Sequence, residues 1–344
     1  MTSSPISRRV PAVLLAGTLA FLATGCGSDT GGSDTGGAGG ADAANGSDTA
    51  GAPEGFPFTV ENCGTEVTYE QPPERAVSLN QHATEVMLAL DLADSMVGTG
   101  YLDDEILPEY REDYDAVPVV SEQYPSYETL LALEPDFVYG GFSSTFDAQE
   151  GRSREAFASH GIATHLNVEE CSTPPLDIDL MDREVRDIAR IFGVPERADA
   201  ELERLHGVLD GVAEHLEGVE PVDVFVYDSG ETTAFTAGGG GIGNEMINRA
   251  GATNLFADLD RAFGDVSFEQ VAERAPEVIV IYDYGDRSVE DKKRFLLDNP
   301  ALRDVPAIRE ERFAVLPLSS TVLGVRVPDG VESLARQLHP DRFR

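Results

Sequence analysis

Apolar residues follow two spacings along the chain, and together these predict an alternating α/β protein. Between residues 176 and 218 apolar residues recur every three or four positions, which is typical of one buried helix face. Gly193 and Pro195 interrupt this run, so we expect a kink or a restart of the helix there. Short apolar runs on both sides of the segment indicate buried strands of mainly parallel sheets. The segment is either two core helices of one domain or a helix that joins two lobes.

A repeated pattern favours two lobes. Ser126-Tyr127-Glu128 begins a stretch that is matched, 141 residues further along the chain, by Ser267-Phe268-Glu269. In both copies a serine can cap a short helix, a proline ends that helix and a strand follows. A helix–proline–strand joint is common in α/β proteins, but the shared Ser-aromatic-Glu start is more than such a joint requires. We therefore predict two similar α/β lobes on either side of the helical segment.

The predicted organisation has five parts. A signal peptide covers residues 1–25, and an acidic tether rich in Gly, Ser and Asp covers residues 26–55. The N-terminal lobe spans 56–175, one long interlobe helix that is kinked or straight spans 176–218, and the C-terminal lobe spans 219–344. The fold class is α/β with two Rossmann-like lobes.

The N-terminal residues carry an export signal. Arg8 and Arg9 precede an apolar run that is too short to cross a bilayer comfortably. Small residues and then Cys26 end this run, as in a bacterial lipobox, so we expect Cys26 to be lipidated. An ordinary secretory signal with an incidental cysteine is the alternative. In an exported protein Cys63 and Cys171 can form a disulfide, and two buried free thiols are the alternative.

Composition excludes several classes of function. A formal net charge of −37 opposes binding to nucleic acid, which requires a positive surface. The six histidines are scattered, so we expect no metal site made by the protein. The chain has no nucleophile elbow, Ser-x-x-Lys or His-Glu-x-x-His motif, so we expect no enzyme activity and no catalytic residues. The glycine run 238–241 lacks a phosphate-loop ending and is predicted to be a flexible cleft loop.

The order of these features resembles the substrate-binding lipoproteins of ABC importers, in the branch that serves ferric siderophores and vitamin B12. The resemblance covers residues 57–340 and rests on the lipobox, the tether, the single helix between lobes, the two Ser-aromatic-Glu motifs and four further stretches, 75–79, 84–85, 235–238 and 250–254. It implies a monomeric, lipid-anchored extracytoplasmic receptor that delivers its ligand to an ABC permease with a cytoplasmic ATPase. It also implies that Glu128 and Glu269 dock onto arginines of the permease. Helix-start electrostatics is the alternative explanation for both glutamates.

The resemblance places a ligand between the lobes, at the carboxyl ends of the strands. The residues predicted to contact it are His82, Tyr101, Gln123, Tyr124, Phe142, Phe235, Tyr282, Tyr284 and Arg326. Tyrosine and arginine suit an oxygen-rich iron(III)–siderophore complex, in which the siderophore alone holds the iron, and no cofactor is expected. Because basic residues are few at the strand ends and Glu122 occupies one loop, a neutral or cationic hydroxamate chelate is favoured. Cobalamin comes second because the chain has no tryptophan, and a surface sensor with the same fold is a further alternative.

Overall fold

A computed structural model describes residues 53–285 and 287–344. The predicted signal peptide, Cys26 and the tether as far as residue 52 lie outside the described residues. The strands are β1 Phe58–Asn62, β2 Thr65–Tyr69, β3 Ala76–Leu79, β4 Met96–Gly100, β5 Val119–Ser121, β6 Phe137–Gly140, β7 Ala163–Leu166, β8 Val222–Tyr227, β9 Ala234–Ala237, β10 Ala252–Asn254, β11 Phe263–Val266, β12 Val278–Asp283 and β13 Phe313–Pro317. The α-helices are α1 Gln81–Ala89, α2 Arg111–Ala116, α3 Tyr127–Leu131, α4 Arg154–Ala158, α5 Ile178–Ile191, α6 Pro195–His215, α7 Ile242–Arg249, α8 Phe268–Arg274, α9 Val289–Asp298, α10 Pro306–Arg309 and α11 Val327–Leu338.

Two parallel sheets form the centres of two lobes. The first sheet has the order β5-β4-β3-β6-β7, and the second has the order β10-β8-β12-β13. All neighbouring strands in both sheets are parallel. The central strands β3 and β6 are buried along their whole length, as expected for a sheet that is covered by helices on both faces. The predicted two-lobe α/β fold is confirmed.

Two antiparallel pairs accompany these sheets. Strands β1 and β2 form a hairpin, with Phe58 opposite Tyr69. The pair of β9 and β11 was not predicted, because both strands are short and lie next to the glycine run. Helix α9 was also not predicted, since its mostly polar sequence gives a weak apolar pattern.

The segment 176–218 contains two helices rather than one. Helix α5 ends in a Schellman motif, in which the Val194 amide donates to the Ala189 carbonyl oxygen at 2.8 Å. Gly193 supplies the left-handed conformation of this motif with φ of 69°, and Pro195 occupies the first turn of α6. Of the two alternatives that the sequence allowed, a kink or a restart, the structure has the restart: α5 ends and α6 begins as a separate helix.

Helices α5 and α6 fold back against each other. The Asp182 carboxylate on α5 lies 2.8 Å from His206 Nε2 on α6, although the two residues are far apart in the chain. Helix α6 contacts both lobes. Near its start Arg197 donates to the carbonyl oxygen of Leu90, and at its end Arg342 of the second lobe donates to the carbonyl oxygens of His215 and Glu217. Its 21 residues span about 31 Å at 1.5 Å per residue.

The repeat extends to backbone geometry. Ser126 and Ser267 cap α3 and α8, each accepting a hydrogen bond from the amide three residues later. At equivalent positions past each helix, Glu134 has φ of 49° and Ala275 has φ of 50°, both in the left-handed region. Each is followed by the proline that precedes a central strand. The lobes are thus built from the same local unit.

The structure contains the disulfide for which the sequence left free thiols as the alternative, and it shows a glycine run that differs from the predicted flexible loop. Cys63 in the β1–β2 turn is joined to Cys171, which precedes α5, with Cα atoms 5.3 Å apart. The glycine run is not an open loop, because a Cβ atom on Gly239 would lie 2.0 Å from the Ala257 carbonyl oxygen. Its glycines permit a close backbone contact. Within residues 53–285 and 287–344, no helix combines the length and apolarity that crossing a bilayer requires.

Candidate ligand-binding cleft

A cavity of about 430 Å³ lies between the two lobes, at the carboxyl ends of both sheets. The first lobe contributes loops that follow β4 and β5, and the second contributes the loop that follows β12. The described lining residues are Tyr101, Leu102, Asp103, Asp104, Gln123, Asp283, Tyr284 and Gly285. Three predicted ligand residues, Tyr101, Gln123 and Tyr284, lie here together because parallel strands end at a common edge.

A second cavity of about 430 Å³ continues from the first along the second lobe, and both are lined by Tyr284 and Gly285. Its other described lining residues are Tyr227, Asp228, Ser229, Gly230, Glu231, Phe235, Arg287 and Lys292. Phe235 stacks on Phe263, with 5.4 Å between ring centroids, so β9 and β11 hold this predicted ligand residue in place. The two cavities together form an open, elongated cleft.

Tyrosines form the wall of the first lobe. The Tyr101 ring meets the Tyr124 ring edge to face, with 4.5 Å between centroids. The Tyr124 hydroxyl donates to Asn80 Oδ1 at 3.0 Å, and the same oxygen accepts from the Phe142 amide and from Thr145 Oγ1. Asn80 is fully buried and has φ of 78°. One buried amide therefore positions two of the predicted aromatic residues, Tyr124 directly and Phe142 through its backbone.

Three predicted ligand residues lie elsewhere. His82 is only 4% exposed and its ring packs against Gly141 and Phe142; burial lowers its pKa. Tyr282 is 1% exposed and belongs to the hydrophobic core, where burial raises its pKa. Neither residue is among the described lining residues of the two cavities, because the strand and helix that carry them place these side chains beneath the surface. The structure thus places both predicted ligand residues outside the cleft lining.

Arg326 is also not free to contact a ligand. Its guanidinium makes a bidentate ion pair with the Glu85 carboxylate at 2.5 and 2.6 Å, and both side chains are buried. It also donates to Ser319 Oγ and to the Glu105 carbonyl oxygen. Because Glu85 lies on α1 and Arg326 begins α11, this ion pair joins the two lobes below the cleft. The structure therefore places this predicted ligand residue with Glu85 rather than in the lining of the cavity.

A second set of bonds joins the lobes at Leu323. Asn167 Nδ2 donates to the Leu323 carbonyl oxygen at 3.1 Å, and Glu169 accepts from the Leu323 amide at 2.7 Å. Burial raises the pKa of Glu169 to about 7, against the lowering effect of the Leu323 hydrogen bond. The lobes are thus connected at two buried points in addition to α6.

The carboxylates of the cleft were missed in the sequence. Asp103 and Asp104 follow Tyr101, and Asp283 precedes Tyr284, so the strand-end pattern that selected the tyrosines also contained them. Burial, and then the charge of Asp104, raise the pKa of Asp103. These three acids give the first cavity its charge.

Glu128 and Glu269 are exposed in the first turns of α3 and α8. Two other exposed glutamates have the same local setting, since Glu155 follows the cap Ser153 and Glu290 follows the cap Ser288. The helix-start arrangement alone therefore does not distinguish the predicted docking pair. No group of three or more His, Cys, Asp or Glu among the described residues is arranged to hold a metal ion.

Comparisons with known proteins agree with this architecture. A family model described as "Periplasmic binding protein" matches residues 77–319. An uncharacterized ABC transporter substrate-binding lipoprotein, YvrC of Bacillus subtilis, is 26% identical over 85% of this chain and 88% of its own length. A vitamin B12-binding protein of Yersinia pestis is 27% identical over 61% of this chain and 70% of its own.

A solved structure, described as an ABC-type Fe3+-hydroxamate transport system from Saccharomonospora viridis, has the same fold. It superposes with a TM-score of 0.69 at 24% identity, covering 82% of this chain and 99% of that one. The relatives are substrate-binding proteins of transport systems rather than enzymes. With two similar lobes, a cleft between them and a family match over most of its length, the chain belongs to the periplasmic binding protein family.

Proposed function

We propose that this protein is the extracytoplasmic receptor of an ABC importer and that it captures an iron(III)–siderophore complex, of the hydroxamate type, between its lobes. The observation that carries the proposal is the cleft, where Tyr101 and Gln123 of one lobe face Tyr284 of the other. Phenol rings and amides suit the bulky, oxygen-rich surface of a ferric chelate. The Saccharomonospora viridis neighbour is similar to this chain in fold only. The argument for the ligand class therefore depends on the residues of the cleft.

The buried links between the lobes support a receptor that closes modestly. The ion pair of Arg326 with Glu85 and the hydrogen bonds to Leu323 both cross from lobe to lobe below the cleft. A wide hinge motion would separate these groups and leave charges unpaired in a buried setting. Ligand binding would therefore adjust the cleft by small displacements.

A titration tests the ligand class. The chain has ten tyrosines and no tryptophan, so quenching of tyrosine fluorescence reports binding, and calorimetry confirms it. The panel contains ferric hydroxamates, ferric catecholates, haem and cobalamin. We expect tight binding of a ferric hydroxamate. Tight binding of cobalamin alone would instead favour the second candidate, which the Yersinia pestis relative supports, and binding of none would refute both.

We propose that Glu128 and Glu269 dock onto arginines of the permease. Both are exposed and occupy equivalent positions of the repeated unit, one on each lobe. Paired carboxylates suit the planar, bidentate guanidinium group. The double variant Glu128→Ala/Glu269→Ala is expected to keep its ligand affinity and to lose ligand uptake in cells.

The matched control is Glu155→Ala/Glu290→Ala, because these glutamates are also exposed and also follow a serine cap. Uptake is expected to remain normal in the control. Equal uptake in the two double variants would leave only helix-start electrostatics for Glu128 and Glu269. If the wild-type protein binds its ligand but no permease takes that ligand up, the alternative function of a surface sensor would be favoured instead.

We propose further that Cys26 carries the lipid that attaches the receptor to the membrane. Cys26→Ser should release the protein from the membrane fraction into the medium or periplasm. Retention of the variant on the membrane would refute the anchor.

A further inference from the structure

Two carboxylates in the first cavity have no direct partner among the described residues. Asp103 and Asp283 lie on opposite lobes, and neither side chain has a hydrogen-bond or ion-pair partner within residues 53–285 and 287–344. Asp104, by contrast, accepts hydrogen bonds from the Glu105 amide and from Ser319 Oγ and lies 3.9 Å from the Arg326 guanidinium. No basic side chain is among the described residues that line this cavity.

The nearby cations lie outside the lining of this cavity. Lys292 Nζ donates to two backbone carbonyl oxygens at 2.7 and 2.9 Å, and its charge acts on Asp228 and Asp283 from the second lobe. Arg287 is paired with Glu231. Arg152 lies behind the wall of the cleft, 5.3 Å from the Tyr124 ring centroid, and donates to three backbone carbonyl oxygens. The described residues therefore leave the cavity with excess negative charge.

The tyrosines add a second, independent feature. After burial, the charge of Asp103 contributes to the raised pKa of both Tyr101 and Tyr284, so this carboxylate lies within electrostatic range of phenols from both lobes. The faces of phenol rings attract cations, and most strongly where water is partly excluded. Rings and carboxylates from two lobes thus converge on one cavity with the same preference for positive charge.

We propose that the cleft selects ligands of net positive charge, and that Asp103 and Asp283 supply this selectivity from opposite lobes. The inference rests on the proposed function and assigns the charge of its ligand. The favoured ligand presents an alkylammonium group to the cavity beside an iron chelate that is itself neutral. An anionic chelate would meet uncompensated carboxylates and would bind weakly.

Three probes of one shape test the inference. They are a linear ferric trihydroxamate with a free terminal ammonium, its acetylated form and its succinylated form, with net charges of about +1, 0 and −1 at neutral pH. For the purified full-length protein we expect affinity to fall in that order by about threefold to tenfold per step at low salt. The steps should shrink as salt screens the charges.

Variants assign the effect to residues. Asp103→Asn and Asp283→Asn should each reduce the preference for the ammonium form over the acetylated form by about threefold, because each removes one facing charge. Affinity for the acetylated form should fall less than affinity for the ammonium form, as the amide keeps the shape of the side chain and removes only its charge. The control Asp210→Asn alters an exposed acid of α6 and should change neither affinity.

The outcomes are distinct. Equal affinity for the three probes, or tighter binding of the succinylated form, would overturn the charge inference while the siderophore function stands. Equal loss of all three affinities in an Asn variant would overturn the assignment of that residue. No binding of any probe would overturn the hydroxamate function and the inference with it.

Discussion

Arg326 provides the sharpest test of how the lobes are held together. Its guanidinium is bound bidentately by the Glu85 carboxylate, and the exposed fractions of the two side chains are 8% and 0%. Replacing Arg326 with methionine keeps an unbranched side chain but removes the charge. Glu85 would then be a buried carboxylate whose remaining partner is the Leu107 amide.

The magnitude follows from the burial of the pair. Removing one partner from a buried ion pair costs about 3–5 kcal/mol, because the remaining charge is neither solvated nor compensated. Since domains are stable by about 5–15 kcal/mol, Arg326→Met should remove a large share of the stability. At about 2–4 °C per kcal/mol for a large domain, Tm should fall by about 10 °C.

Urea and thermal unfolding, followed by circular dichroism, measure this loss. The control Arg336→Met lies on the same helix and breaks an exposed i,i+4 pair with Glu332, which should cost less than about 1 kcal/mol. The double variant Glu85→Gln/Arg326→Met removes the orphaned charge and should recover at least about 1.5 kcal/mol relative to Arg326→Met alone.

Two results would refute this reasoning. One is a loss of stability in Arg326→Met no greater than in Arg336→Met. The other is unchanged stability together with lost ligand affinity, which would return Arg326 to the ligand contact that the sequence suggested.

Three further predictions follow from the cleft and its supports. Because burial raises the Glu169 pKa to about 7, the folded state binds more protons than the unfolded state between about pH 4.5 and 7, and stability falls as pH rises. Glu169→Gln should therefore gain stability over wild type by about 2 kcal/mol between pH 5 and pH 8, measured by urea unfolding. Tyr284→Ala should weaken ligand binding by about tenfold, whereas Tyr282→Phe should change it less than about twofold, as measured by titration. Reduction of the bond between Cys63 and Cys171, 108 residues apart, should lower the unfolding free energy by about 4–5 kcal/mol in a denaturant series.

Each of these has its own control. Glu203→Gln alters an exposed glutamate of α6 and should show no pH-dependent gain; an equal gain there would contradict the role of burial at Glu169. A large loss of affinity in Tyr282→Phe would place that hydroxyl at the ligand after all. Unchanged stability after complete reduction would show that the bond does not constrain the unfolded chain.

Local sequence patterns determined much of the architecture. The buried strands and the caps of α3 and α8 follow from residues that are close in the chain, and so do the left-handed turn at Gly193 and the start of α6 at Pro195. The repeat then established two similar lobes without any long-range contact. The rule that parallel strands end at one edge brought Tyr101, Gln123 and Tyr284 to one cavity.

Partners far apart in the chain were decided by the tertiary structure alone. A Schellman turn ends a helix but does not say which way the next helix runs; the packing of α6 across both lobes decides that direction. The sequence predicts Arg326 as a cation of the cleft, whereas the fold brings Glu85 of the other lobe into an ion pair with it. Asp103 and Asp283 are ordinary acids in the sequence, and they line one cavity only because two sheets face each other. Hydrophobic periodicity and capping act over a few residues, whereas charge pairing and cavity shape depend on which distant segments the fold brings within a few ångströms.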